Sequence, residues 1–293
     1  MSEPRNNTST STSTSTSTGD STTATGGAME TVASADGTEI AFERTGSGPP
    51  LVLVHGGACD HRFWDHSDIR VTLAADHTVY AMDCRGVGRS GDHGAYDLER
   101  EFEDVAAVVD AVDGPATLLG HSSGALLSLE ASRRTENLRQ LVLYEPPIPV
   151  GEHEVVSDDV IAEMERLLAE GNDEEVLVFF LEEVAQSAPE EIDAQRSSPD
   201  WPDLVDAADV WTRNVRAVSE YEFDADRFAS MTTPTVLLTG SESPALFRAA
   251  TEAVADALPN AQILTFEDQA HEAMFTTPDR FIEEVRSVIG GAE

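Results

Sequence analysis

The chain has 293 residues, 40% of them hydrophobic, enough to bury the core of one large α/β domain or of a domain carrying an insertion. Its 18 basic and 55 acidic residues give a formal net charge of −37, which excludes nucleic acid as a ligand because no basic patch is left to meet phosphates. No stretch approaches the 18 or so apolar residues of a membrane span and the N-terminus lacks the apolar core of a secretory signal, so a cytoplasmic protein without membrane contact is expected.

Residues 1–27 form a low-complexity tail with Ser/Thr alternation from Thr8 to Thr18 and no apolar face, so disorder is expected there. Residues 30–33 and 39–44 flank the turn signal Ala35-Asp36-Gly37 and predict an antiparallel hairpin. Short apolar runs follow at 51–54, 78–82, 116–119, 141–144, 235–238 and 261–264. Runs without alternation describe strands buried on both faces. Helical spacing appears in Phe102, Val105, Ala106, Val109 and Val112, then in Leu246, Ala249, Ala250, Ala253, Val254 and Ala257. A last helix, entered through Pro278, presents Phe281, Ile282, Val285, Val288 and Ile289. This alternation predicts an α/β fold: a mostly parallel, twisted sheet of about eight strands with helices on both faces. Residues 146–231 break the pattern, with helical periodicity over 160–169, 174–185 and 207–218 and no convincing strand. They read as an all-helical cap inserted into a core made of residues 28–145 and 232–293. Its aromatics Phe179, Phe180, Trp201, Trp211 and Tyr221 either line an apolar pocket or form the cap's own core.

Gly120-His121-Ser122-Ser123-Gly124 lies directly between a predicted strand and a predicted helix. A Gly/Ser turn capping the helix through Ser122 or Ser123 is the plainer reading of the pentapeptide. In this position it also describes a nucleophile elbow, with Ser122 at the apex and glycines leaving room for a sharp reversal. A serine hydroxyl needs a base to take its proton, and that base needs a carboxylate to fix its tautomer. Of eight histidines, His271 sits in the loop after the last strand, at the same sheet edge as Ser122. His61, His66, His77, His93 and His153 stand in polar contexts and are expected at the surface. The backbone N–H groups of Ser123 and of Gly57, in the bare loop His55-Gly56-Gly57-Ala58, are the candidate oxyanion donors. His55 is expected to shape that loop. His55, Cys59 and His61 match no standard zinc spacing, and Cys59 and Cys84 make no disulfide framework, so no metal or cofactor is expected.

His55-Gly56-Gly57 after one strand, Asp83-Cys84-Arg85-Gly86-Val87-Gly88-Arg89-Ser90 after the next, the Ser122 pentapeptide and the late His271 together resemble the α/β-hydrolase superfamily from about residue 29 to 289. The resemblance implies that Ser122 is the nucleophile, that His271 is the base and that the loop 83–90 is structural. It leaves the triad acid open. Many relatives carry an aspartate three residues beyond the glycine that ends the strand after the cap, where this chain has Ser243, with Glu242 one position early. Others, certain haloalkane dehalogenases among them, place the acid after the preceding strand, where Glu145 precedes Pro146-Pro147-Ile148-Pro149. Glu145 is preferred here, with Glu242 as the alternative. Epoxide hydrolases and haloalkane dehalogenases of this fold use aspartate at the elbow, so a serine implies acyl chemistry. The expected substrate is a small ester, thioester or lactone with a small to medium apolar acyl group. An acyltransferase, a cofactor-free perhydrolase and a non-catalytic ligand sensor are the alternatives. Finally, the chain has no lysine, and its acids are spread through every segment, a composition that resembles halophilic archaeal proteins.

Overall fold

The computed structural model describes Met1 and residues 27–290, so nearly all of the Ser/Thr tail lies outside the described residues. One sheet contains eight strands: β1 (Ala28–Ala33), β2 (Glu39–Gly46), β3 (Pro50–Val54), β4 (Thr78–Met82), β5 (Ala116–His121), β6 (Leu138–Tyr144), β7 (Thr235–Gly240) and β8 (Ala261–Phe266). Their spatial order is β1-β2-β4-β3-β5-β6-β7-β8. The predicted hairpin supplies the antiparallel edge, turning at Gly37 with φ 87°, and the strands from β4 to β8 are parallel. Around them run α1 (Ile69–Leu73), α2 (Leu98–Ala111) and α3 (Ser123–Ala131). Between β6 and β7 come α4 (Asp158–Ala169), α5 (Asp173–Phe179), α6 (Pro189–Arg196), α7 (Trp201–Asp206) and α8 (Ala208–Ser219), and α9 (Ala245–Ala257), α10 (Ala273–Thr276) and α11 (Pro278–Gly290) complete the chain.

Successive strand residues point to opposite faces, and here both faces are dry. Val52, Val54, Leu118, Leu141, Leu143 and Leu237 join a core shared with α2, α3, α9 and the helices between β6 and β7. Leu51, Leu53, Leu119, Val142, Tyr144 and Leu238 join a second core with α1 and α11. The run 261–264, expected to be buried on both faces, forms β8, where Gln262 and Ile263 are exposed. As the outermost strand it lies at the margin of the helical layers, and a sequence run does not record its place in the sheet.

The inserted helices form the cap. Among the described residues, none between β6 and β7 belongs to a named strand. Met164, Val176, Leu177, Phe180, Trp211 and Val215 bury against the same core as the sheet. The connections leave β3 toward β4 on one side while β5 lies on the other, so the carboxyl ends of β3 and β5 open a crevice at a topological switch point. Among the described residues no helix is long and apolar enough to cross a membrane.

Candidate active site

Ser122 joins β5 to α3 with φ 53° and ψ −126°, a conformation that costs a non-glycine residue about 1–3 kcal/mol. The fold holds it there. Its N–H donates to Tyr144 O at 2.9 Å, and its carbonyl accepts from Ala125 N at 2.8 Å. The flanking glycines are required by contact: a Cβ on Gly120 would lie 2.3 Å from Gly124 O, and one on Gly124 would lie 2.3 Å from His55 O. Ser122 occupies the N-cap position of α3, yet its side chain makes no capping hydrogen bond. The capping reading therefore gives its hydroxyl no work.

The loop after β3 lies against this turn. Both His55 ring nitrogens are engaged by backbone: Nδ1 donates to Gly56 O at 2.7 Å and Nε2 accepts from Cys84 N at 3.1 Å. Burial holds its pKa below the usual imidazole range, as the neutral acceptor requires. Among the described residues no hydrogen bond takes up the N–H of Gly57 or of Ser123. Gly56, Gly57 and Ser123 line a cavity of about 10 Å³, room for one water, whose other walls include Leu127, Val210 and Trp211. Phe180 closes over Gly57, 3.0 Å from where a Cβ would stand. Of the cap aromatics, then, Phe180 and Trp211 reach this crevice. Tyr221 instead donates to Glu130 at 2.7 Å, and Trp201 lies under Arg196. A larger open hollow of about 1050 Å³, between α2 and α8, is lined by Tyr221 but by none of the candidate catalytic or oxyanion residues.

Glu145 follows β6 directly, is fully buried and has φ 50°. Its Oε2 accepts from His271 Nδ1 at 2.7 Å. Its Oε1 accepts from Gly240 N at 2.7 Å and from Thr239 Oγ1 at 2.8 Å. Burial alone would raise its pKa, but the bond to His271, the charge attraction, the nearby Ser243 hydroxyl and Gly240 N–H outweigh it, and the net shift is downward. An ionised Glu145 fixes the proton on His271 Nδ1 and leaves Nε2 as the acceptor. Phe247 stacks on the His271 ring at 4.0 Å and 11°, and His121 lies 4.6 Å away. The loop is tied down by Tyr144, whose hydroxyl donates to Ala270 O at 2.8 Å, and by His121 Nε2, which donates to His271 O at 3.2 Å. No hydrogen bond joins Ser122 Oγ to His271 among the described residues. Glu242 is exposed, its carboxylate accepts among the described residues only from its neighbour Ser241, and it is not brought to His271. Ser243, at the position where many relatives carry aspartate, is buried.

A sequence model of the alpha/beta hydrolase family matches residues 51–284. The chain belongs to the α/β-hydrolase family. An alpha/beta hydrolase from Sphaerobacter thermophilus is 36% identical, with a TM-score of 0.71 over 87% of this chain and 99% of that one. The esterase RhEst1 from Rhodococcus sp. ECU1013 is 25% identical with a TM-score of 0.67, covering 90% and 99%. A pimeloyl-[acyl-carrier protein] methyl ester esterase from Aeromonas hydrophila is 25% identical over 86% of this chain and 99% of its own length. A non-heme haloperoxidase from Rhodococcus erythropolis is 36% identical over 33% of this chain, and that match spans about a third, 35%, of the haloperoxidase.

Two surface expectations fail in this α/β-hydrolase. His61 is buried: Nδ1 donates to Asp83 Oδ1 at 2.7 Å and Nε2 lies 3.4 Å from Glu43. Burial disfavours its charge, but Asp83, Asp60 and Glu43 together raise its pKa above the usual imidazole value. His77 is also buried, and desolvation lowers its pKa. Both stand among polar neighbours in sequence and are covered by distant segments. The loop 83–90 is pinned in the same way, with Arg85 bound to Asp104 at 2.7 Å and to Asp36 at 2.8 Å. Beside the site, His121, Phe247 and Glu272 are the residues that sequence reasoning missed. Two of them are chain neighbours of Ser122 and His271, which was the available signal.

Proposed function

We propose that this α/β-hydrolase is a serine hydrolase that cleaves an ester, thioester or lactone of a small to medium apolar acyl group through an acyl-enzyme. Ser122 Oγ attacks the carbonyl while His271 Nε2 takes its proton. Glu145 keeps His271 in the required tautomer and stabilises the imidazolium. The N–H groups of Gly57 and Ser123 receive the oxyanion, His271 returns the proton to the leaving group, and water then repeats the sequence on the acyl-enzyme. The observation that carries this reading is the 2.7 Å bond between His271 and a buried, ionised Glu145, at the sheet edge where Ser122 is held at φ 53°. The apolar acyl preference is supported by Phe180, Val210 and Trp211 around Gly57 and Ser123. Segment 146–231 serves as the cap that walls the substrate, and the acidic surface suits a salt-rich interior.

Hydrolysis of p-nitrophenyl esters of increasing acyl length, in molar KCl, tests the proposal with Ser122→Ala as control. Turnover lost in the alanine variant supports it, and the optimum length sizes the pocket. Turnover that survives in Ser122→Ala overturns it, and ligand binding by folded protein without turnover selects the sensor. The haloperoxidase likeness favours a second reading, in which peroxide accepts the acyl group. Peroxide-dependent peracid formation that exceeds hydrolysis would select it.

A further inference from the structure

Glu272 follows His271 and leads into α10. Its Oε2 is shielded from solvent and has no hydrogen-bond partner among the described residues. The groups facing it come from five places: His271 on its own loop, His121 at the end of β5, Cys59 after β3, Glu145 after β6 and Glu191 on cap helix α6. None of these is an arginine. Burial pushes the Glu272 carboxyl up to about 7, His271 opposes, and Glu191 and Glu145 add to the rise.

His121 supplies a second unmet acceptor. It is 3% exposed, and burial holds its pKa well below the usual range, so the ring is neutral. Nε2 donates to His271 O, which leaves Nδ1 as a bare lone pair, and this nitrogen too is buried without a partner among the described residues. A Cβ on Gly56 would lie 3.1 Å from His121 Nδ1 and 3.2 Å from Ser122 Cβ, so the ring edge and the serine side chain share one wall of the crevice. A ring nitrogen of His121, a ring nitrogen of His271 and a carboxylate oxygen of Glu272 lie within 4.8 Å of one another. Buried acceptors without donors are costly, and a site built this way favours a ligand that brings N–H or O–H groups and rejects one that brings another acceptor charge.

We propose that Glu272 and His121 form a donor-seeking subsite beside Ser122, so that the hydrolase prefers esters carrying an ammonium or hydroxyl group near the scissile carbonyl over their carboxylate isosteres. The inference rests on the serine-hydrolase reading. Its test compares kcat/KM for butyrate esters of 2-(dimethylamino)ethanol, 3-methylbutanol and 3-hydroxypropanoate in molar KCl. At pH 8, with Glu272 mostly ionised, the cationic ester is expected to exceed the anionic one at least tenfold. At pH 6, and in Glu272→Gln at either pH, that ratio should fall to within about threefold. Because it compares substrates on one enzyme, the ratio is insensitive to a general loss of activity. A wild-type ratio that does not fall between pH 8 and pH 6, or one that Glu272→Gln leaves unchanged, overturns the subsite. If the Gln variant does not fold, the wild-type pH series decides alone. Failure to cleave even the neutral ester, or cleavage that persists in Ser122→Ala, would instead count against the serine-hydrolase reading.

Discussion

Replacing Glu145 with glutamine is the sharpest perturbation of the proposed triad, because the surroundings dictate how the amide must sit. Gly240 N–H and Thr239 Oγ1–H both donate to one carboxylate oxygen, at 2.7 and 2.8 Å. The glutamine carbonyl must stay there, since turning the NH2 toward Gly240 would oppose two buried donors at a cost of about 1–3 kcal/mol. The NH2 then faces His271 Nδ1, which can only accept from it. The imidazole proton moves to Nε2, and the nitrogen needed as a base becomes a donor. A wrong tautomer of this kind lowers turnover by up to about 10⁴, or about 5 kcal/mol of transition-state stabilisation. The assay is kcat/KM on the best p-nitrophenyl ester in molar KCl, with circular dichroism confirming the fold. Glu242→Gln serves as control and is expected within twofold of wild type, because Glu242 is exposed and, among the described residues, its carboxylate accepts a hydrogen bond from Ser241 alone. Glu145→Gln within tenfold of wild type, or a matching loss in Glu242→Gln, would refute the tautomer argument.

Three further outcomes are expected. Gly124→Ala places a Cβ 2.3 Å from His55 O and 2.6 Å from Val54 O, so the loss should reach the upper end of the roughly 1–3 kcal/mol typical of overpacking; an unchanged melting temperature would contradict the contact. His61 has a raised pKa, so its contribution is complete below the unfolded value near 6.5 and fades as pH climbs through the folded value. The stability gap between wild type and His61→Gln in denaturant titrations should therefore be wider at pH 5.5 than at pH 9, and a constant gap would count against it. With a net charge of −37, raising KCl from 0.1 to 1 M shortens the Debye length from about 10 to about 3 Å and should raise the melting temperature; a flat curve would show that self-repulsion does not limit this fold.

The sheet was legible because parallel strands dry on both faces leave unbroken apolar runs, and 51–54, 116–119 and 235–238 are of that kind. Position within the sheet was not, since the run at 261–264 looks the same whether it is central or outermost. The elbow was legible because its two glycines answer backbone contacts made within a few residues or with the adjacent strand's loop. For the acid, the sequence supports a preference for Glu145 over Glu242 and no more, since both follow strand ends; the contact itself needs three dimensions, because the pairing of β6 beside β7 sets Glu145 under Gly240 and facing His271. The burial of His61 and His77, and the shielding of Glu272 Oε2, were hidden for a related reason. Asp83, which bonds His61, and His121, which lies beside Glu272, are distant in the chain, and polar neighbours in sequence say nothing about them.

β6 and β7 lie side by side although about 90 residues separate them, and the Glu145 carboxylate is held between their ends. Closing a loop of that length costs about 4 kcal/mol, yet each doubling adds only about 0.6 kcal/mol. The junction is therefore nearly indifferent to how much chain hangs from it. An insertion that enlarges the roof over the crevice would be cheap for folding and leave the β6–β7 pairing intact, whereas one methyl group on Gly120 or Gly124 would press on backbone and cost stability. Variation in such a molecule has an open door here, and it lies over the crevice rather than beneath the serine.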